Sequence, residues 1–132
     1  MSTLVVDANV VLQSCIDAGG LGPLTGYDLV APPIMRSEAT SSLHEMRFRG
    51  DISQDLAERA LGALQALEIP VESPSGFWER SWQVAGLLGW AKTYDAEYVA
   101  LAQLLDCRLV TLDARLARGA SRLAQIVGPA DI

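Results

Sequence analysis

Four acidic residues stand where carboxylates could work together. Asp7 directly follows Leu4-Val5-Val6, and Asp113 directly follows Arg108-Leu109-Val110-Thr111-Leu112. Both runs are short, apolar and rich in β-branched residues, which marks buried strands. In an open parallel sheet, ligands bind beyond the carboxyl ends of the strands, so acids at two such ends can meet. Glu38 lies in the second turn of a helix opened by Pro32-Pro33, at the edge of an apolar stripe of Met35, Ala39, Ser42, Leu43 and Met46. Asp95 lies in the first turn of a helix that Thr93 can cap. Four carboxylates meeting with no cation between them would repel strongly. Oxygen-only ligation suits a hard ion, Mg²⁺ with Mn²⁺ as substitute, rather than zinc. A site of that kind activates water and stabilises charge on a phosphate in flight, which is the chemistry of phosphodiester hydrolysis.

Each acid also has an ordinary structural role. Asp7 and Asp113 are favoured N-caps for the helices that follow them. Asp95 benefits from the positive end of its helix dipole. A carboxylate at a stripe edge, as Glu38 is, either reaches outward or faces a cleft. Glu45, two turns on, shares that edge, and Glu97 shares the first turn with Asp95 and is expected to face solvent.

Periodicity and punctuation outline the elements that must position these residues. A first strand ends at Asp7, and a helix over 8–18 closes at Gly19-Gly20. A second short strand falls at 28–31, and the Pro-opened helix runs from about Ile34 to Arg49, with Gly50 as its stop. Ser53 or Asp55 starts another helix, whose buried face carries Ala57, Ala60, Leu61, Leu64 and Leu67. Ile69-Pro70-Val71 is extended, and a helix covers 76–89 with Trp78 and Trp82 one turn apart. The helix capped by Thr93 puts Tyr98, Leu101, Ala102 and Leu105 on one face and turns at Asp106-Cys107. A strand at 108–112, a short helix to about Ala117 and a last strand at 124–127 complete the chain. Strands alternating with helices predict an α/β fold, a short, mostly parallel sheet covered by helices on both faces.

Bulk properties narrow the function classes. The 132 residues suit one domain spanning 1–132, and half of them are apolar while a fifth are charged. No apolar run approaches the ~20 residues of a membrane span and no signal-like segment opens the chain, so the expectation is a cytoplasmic protein without membrane association. Cys15 and Cys107 are too few and too far apart for a zinc site or a disulfide framework. The net charge of −6 argues against a polyanionic ligand unless the acids are gathered in one site, where two divalent ions would offset four of those six charges. His44 is the only histidine and is expected to be solvated, which removes a two-histidine acid–base mechanism. Neither a P-loop, nor a G-x-G-x-x-G after the first strand, nor a G-x-S-x-G elbow is present.

Four blocks together resemble one known family. Leu4-Val5-Val6-Asp7-Ala8-Asn9-Val10 resembles the opening strand motif of PIN-domain nucleases, and Pro32 to Glu38 resembles that family's Pro-led helix bearing a Glu. Tyr94-Asp95-Ala96-Glu97-Tyr98-Val99-Ala100-Leu101-Ala102 is similar to its central acidic helix, and Leu109-Val110-Thr111-Leu112-Asp113 to its strand with a T-x-D ending. Order and spacing agree over nearly the whole chain, and the size most resembles VapC-type toxins of type II toxin–antitoxin modules. The resemblance implies the PIN three-layer sandwich and Mg²⁺-dependent endonucleolytic cleavage of RNA. It implies homodimers, and a cognate antitoxin whose tail enters or covers the acidic cleft. Carried over by position, Asp7, Glu38, Asp95 and Asp113 are the acidic quartet and the metal ligands, with Asn9 and Thr111 at the polar positions that orient them. Cleavage by water would leave 5′-phosphate and 3′-hydroxyl ends.

Around this quartet, Arg36, Arg47 and Arg49 flank the helix of Glu38, and Arg115 and Arg118 follow Asp113. Arg36, Arg115 and Arg118 are the candidates for holding the RNA backbone, against a reading as surface charge. Trp78, Trp82 and Trp90 suit either base stacking or apolar packing and a dimer interface. Residues Leu56 to Leu67 suit either a groove for an antitoxin helix or core packing. Rival functions are a DNA or structure-specific nuclease on the same fold, a PIN-like binding module without chemistry, and a phosphate-accepting receiver-like domain. The last needs a Lys near the end of its final strand, and the only lysine, Lys92, precedes the Asp95 helix.

Overall fold

The computed structural model describes residues 2–132. Its first strand, β1 (Thr3–Val6), is central because Leu4, Val5 and Val6 have no exposed surface and can be satisfied only by neighbours on both sides. It pairs in parallel with β2 (Asp28–Val30) on one edge and with β3 (Arg108–Val110) on the other. A fourth strand, β4 (Ile126–Val127), adds in parallel to β3, giving the order β2-β1-β3-β4. Every pairing is parallel, so each connection must cross over a face of the sheet.

Those crossovers supply the helices. Between β1 and β2 run α1 (Ala8–Ile16) and a 3-10 turn (Gly22–Gly26). Between β2 and β3 run α2 (Met35–Phe48), α3 (Gln54–Ala66), α4 (Phe77–Leu88) and α5 (Tyr94–Leu105). Between β3 and β4 lies α6 (Ala114–Ala120). The sheet is left on opposite sides of β1, so right-handed crossovers put α1 and α5 on opposite faces. α5 packs against β1 and β3 with α4 against its outer side, while α1, α2 and α3 pack on one another. This is the three-layer α/β sandwich expected from the alternation of elements.

A main core surrounds the sheet and includes Tyr98, Phe77, Met35, Leu101 and Leu109. A smaller cluster of Leu12, Leu43 and Ala60 ties α1, α2 and α3 together. Burying a leucine contributes roughly 2 kcal/mol, so this cluster fixes the pose of α2, the helix that carries Glu38. Among the described residues, no helix is long and apolar enough to cross a membrane.

Several elements differ from the sequence reading. The third strand ends at Val110 rather than 112, because the Leu112 N–H leaves the ladder and donates to Oδ1 of Asn9 at 3.4 Å. α6 runs on to Ala120, since Leu116 and Ala120, one turn apart, are both buried. Thr93 stands at the N-cap position of α5, but its backbone is already helical and its side chain makes no capping bond. Ser53 does cap α3, accepting from Leu56 N at 3.1 Å. Trp78 and Trp82 are 59% and 77% exposed, so they do not pack into the core of this chain. His44 is exposed as expected.

Candidate active site

The site is built at the carboxyl ends of β1 and β3. Val6 pairs with Val110, so the residues just beyond them, Asp7 and Thr111, emerge side by side. Asp7 N–H donates to Val110 O at 3.2 Å, and Thr111 N–H donates to Val127 O at 3.0 Å. Asp7 is 4% exposed and caps α1, its Oδ1 accepting from Val10 N at 3.1 Å. Its Oδ2 accepts a short hydrogen bond from the Thr111 hydroxyl. That same Oγ1 accepts from Asp113 N at 2.9 Å. One threonine therefore orients the carboxylate of Asp7 and the backbone that presents Asp113. Asp113 in turn caps α6, its Oδ1 accepting from Arg115 N at 2.9 Å and Leu116 N at 3.3 Å.

α2 and α5 bring the other two acids. The Tyr98 hydroxyl donates to Oε1 of Glu38 at 2.5 Å, linking the two helices. Tyr98 is buried, and a buried phenol needs a partner. Glu38, Asp95 and Asp113 line one cavity of about 670 Å³ together with Trp90, Lys92, Tyr94 and Arg115. Asp7 is not part of that lining; it is the buried member, and it feels the charges of Asp113 and Glu38.

The protonation equilibria report this crowding. Burial pushes the Asp7 carboxyl up to about 6, and the charges of Asp113 and Glu38 push the same way against the bonds from Thr111 and Val10. Burial also raises Glu38, which Asp95 raises further and the Tyr98 bond holds down. Asp95 is raised by burial and by Asp113, with Arg115 offsetting part of the rise. Tyr98 is driven up by its own burial and by the adjacent Glu38.

Glu97 corrects an expectation. It was expected to face solvent, yet it is 6% exposed, and its Oε1 is buried without a hydrogen-bond partner. Burial and the charge of Glu38 raise its carboxyl. Its neighbours Ala96 and Tyr98 are buried as well, so this turn of α5 is enclosed nearly all round and leaves no solvent face at that position.

As the side chains stand, no three acidic, histidine or cysteine groups among the described residues converge as a preformed metal cage. Asp7, Glu38 and Asp113 each turn an oxygen toward a protein donor instead. The donor set nonetheless fits a hard divalent cation. It consists of carboxylate oxygens, with unpaired lone pairs left on each, in a site whose like charges raise one another's affinity for positive charge. Glu97, with its orphaned Oε1, feels the charge of Glu38 but does not line the cavity.

The remaining candidates separate clearly. Asn9 braces Leu112 N rather than touching a carboxylate. Arg115 lines the acidic cavity. Arg118 is exposed and does not line it. Arg36 is engaged elsewhere: it donates to Leu64 O at 3.0 Å and Leu67 O at 2.6 Å, covering carbonyls at the C-terminal end of α3. Arg47 bonds the side chain of Gln54, and Arg49 pairs with Glu45 at 3.6 Å and Asp51 at 3.4 Å. Glu45 is thus an exposed ion-pair residue, unlike Glu38. The link from Tyr98 to Glu38 was missed; the signal for it is a single tyrosine within an otherwise aliphatic buried stripe.

The comparisons agree with this construction. The family model described as PIN domain matches residues 4–121. VapC ribonuclease Mb0985 of Mycobacterium bovis is 34% identical over 114 residues, covering 86% of this chain and 87% of that protein. Ribonuclease VapC9 of Mycobacterium tuberculosis matches to the same extent. Among solved structures, PAE2754 from Pyrobaculum aerophilum has a similar fold, with a TM-score of 0.73, 21% identity and coverage of 98% of this chain and 92% of that one. A chain of VapBC2 from Rickettsia felis, bound to a promoter DNA fragment, follows with a TM-score of 0.66, 12% identity and coverage of 96% and 98%. With a family model spanning most of its length and relatives of matching size, this chain belongs to the PIN-domain family, among its VapC-type members.

Proposed function

We propose that the chain is a Mg²⁺-dependent endoribonuclease, the toxin of a type II toxin–antitoxin pair, which hydrolyses RNA phosphodiesters with water as nucleophile. The observation that carries this reading is the buried, upward-shifted carboxylate of Asp7, fixed at the end of β1 by Thr111 and crowded by Asp113 and Glu38. Asp7, Asp95, Asp113 and Glu38 are the residues that would hold the ion, with Mn²⁺ as a substitute. When bound, the ion supplies an acidified water and offsets charge on the phosphate. Thr111 holds Asp7 in one orientation, and Tyr98 holds Glu38 against α5 and favours its ionised form against the burial that raises it. Arg115, which lines the same cavity, would donate to a phosphate oxygen of the strand.

The relatives named as ribonucleases favour RNA over DNA as the substrate. The fold neighbour in VapBC2 and the VapC-named relatives support a cognate antitoxin as partner. The proposal includes a homodimer and a cytoplasmic location, both resting on family likeness. Incubation with labelled RNA and DNA of one sequence, with Mg²⁺ or with chelator, tests the reading. RNA cut internally only with the ion supports it; preferential cutting of DNA would transfer the site to the rival nuclease reading.

A further inference from the structure

The lining of the acidic cavity mixes two kinds of side chain: the carboxylates Glu38, Asp95 and Asp113, and the cationic and aromatic residues Trp90, Lys92, Tyr94 and Arg115. The loop that carries Trp90 and Lys92 is held firmly. Gly89, at a φ of 71°, ends α4 and turns the chain into the 90–93 loop. Trp90 is half-buried against the main core and lies over Gly119 of α6, where an added Cβ would be 3.3 Å from its Cζ2. The loop that bears Lys92 is therefore seated on the helix that bears Arg115.

Two properties of the cationic and aromatic residues point outward, although the charge of Arg115 also offsets part of the rise at Asp95. Among the described residues neither Lys92 nor Arg115 is ion-paired, although the chain carries a net charge of −6. Tyr94, immediately before Asp95, is 50% exposed, with its neighbour Asp95 on the same cavity. Cations without an ion-pair contact beside a half-exposed aromatic ring match a backbone phosphate and the face of a base. Every base has such a face, so this contact tolerates any sequence.

We propose that Tyr94, Lys92 and Arg115 form a subsite for the nucleotide adjoining the scissile phosphodiester. The Tyr94 ring stacks on its base, and the two cations hold its phosphate. Trp90 is the support beneath them rather than a contact. This inference rests on the ribonuclease reading above and adds the residues that grip the strand.

The test measures both binding and turnover. Binding of a short fluorescein-labelled single-stranded RNA is followed by anisotropy in an Asp7→Asn background with Mg²⁺, so that the strand stays whole. Turnover is measured in the otherwise unaltered protein. Tyr94→Ala is expected to weaken binding about tenfold and to raise KM by a similar factor with kcat nearly unchanged. Tyr94→Phe, which keeps the ring, stays close to the parent. Lys92→Ala reduces the steepness of the salt dependence by about 0.7, the share of one phosphate contact on a single strand. Parental binding by Tyr94→Ala, or an equal loss in Tyr94→Phe, would overturn the subsite, as would a parent that binds no RNA. A parent that binds as described while the unaltered protein cuts nothing would instead remove the endoribonuclease reading, and with it the scissile position, and leave these residues as a strand-binding site only.

Discussion

The hydroxyl of Tyr98 donates to Oε1 of Glu38 at 2.5 Å, joining a buried residue of α5 to a half-buried acid of α2. Both elements lie in the long crossover between β2 and β3, and 60 positions separate the two residues. The bond holds the Glu38 carboxyl down against the burial and the Asp95 charge that raise it.

Tyr98→Phe should therefore do more to activity than to folding. Deleting the hydroxyl leaves a half-buried carboxylate short of one donor, at a cost of roughly 1–2 kcal/mol. With the lowering bond gone, the Glu38 carboxyl moves further up. A pH–rate profile should show the acid limb displaced to higher pH, with kcat reduced at neutral pH. An unchanged limb would mean that Glu38 ionisation does not govern the reaction.

Asp7 predicts an unusual pH dependence of stability. Burial lifts its carboxyl from 3.8 to about 6, so the folded chain retains a proton over a range where the unfolded chain has lost it. The stability linked to this group is fully present below about 3.8 and is lost as pH rises through about 6. At neutral pH without metal, the ionised group costs roughly 2–3 kcal/mol. Asn also caps helices well, so Asp7→Asn keeps the α1 cap and removes that cost. In chelator, denaturant unfolding should show Asp7→Asn more stable than wild type at neutral pH, with the gap closing toward pH 4. Mg²⁺ should narrow the gap at neutral pH by stabilising wild type alone. A gap that ignores both pH and Mg²⁺ would place Asp7 outside any metal site.

Arg36 is predicted to be a stability residue. Its guanidinium covers the Leu64 and Leu67 carbonyls of α3, where a cation is favoured by the helix dipole. Arg36→Ala should lower unfolding stability by roughly 1 kcal/mol while leaving KM for RNA unchanged. A raised KM at wild-type stability would return Arg36 to the strand-binding residues.

The parts of this molecule that were legible are those governed by local pattern. Leu4-Val5-Val6 before Asp7 and Leu109-Val110 before Asp113 announce buried parallel strands, and the strands place both acids at one end of the sheet. Glu38 and Glu45 share a stripe edge, and family likeness rather than periodicity separated them; the structure then pairs Glu45 with Arg49 at the surface. Glu97 was misread because α5 is covered nearly all round, so the usual contrast between a buried and a solvated face fails there. Tyr98 was read as core, and it is core; which acid its hydroxyl reaches depends on how α2 and α5 meet, and no local spacing encodes that. The orientation of the carboxylates was equally hidden. Helix caps and the Thr111 hydroxyl compete for the same oxygens that a cation would use.

The most direct test of the central claim is RNA cleavage by the wild type and by Asp7→Asn, each with Mg²⁺ and with chelator, with the chemistry of the new ends determined. Wild type with Mg²⁺ is predicted to cut internally and leave 5′-phosphate and 3′-hydroxyl ends, while Asp7→Asn and the chelated wild type leave the RNA intact. Cleavage by Asp7→Asn at the wild-type rate, or cyclic phosphate ends from the wild type, would contradict a water-based mechanism centred on these four acids.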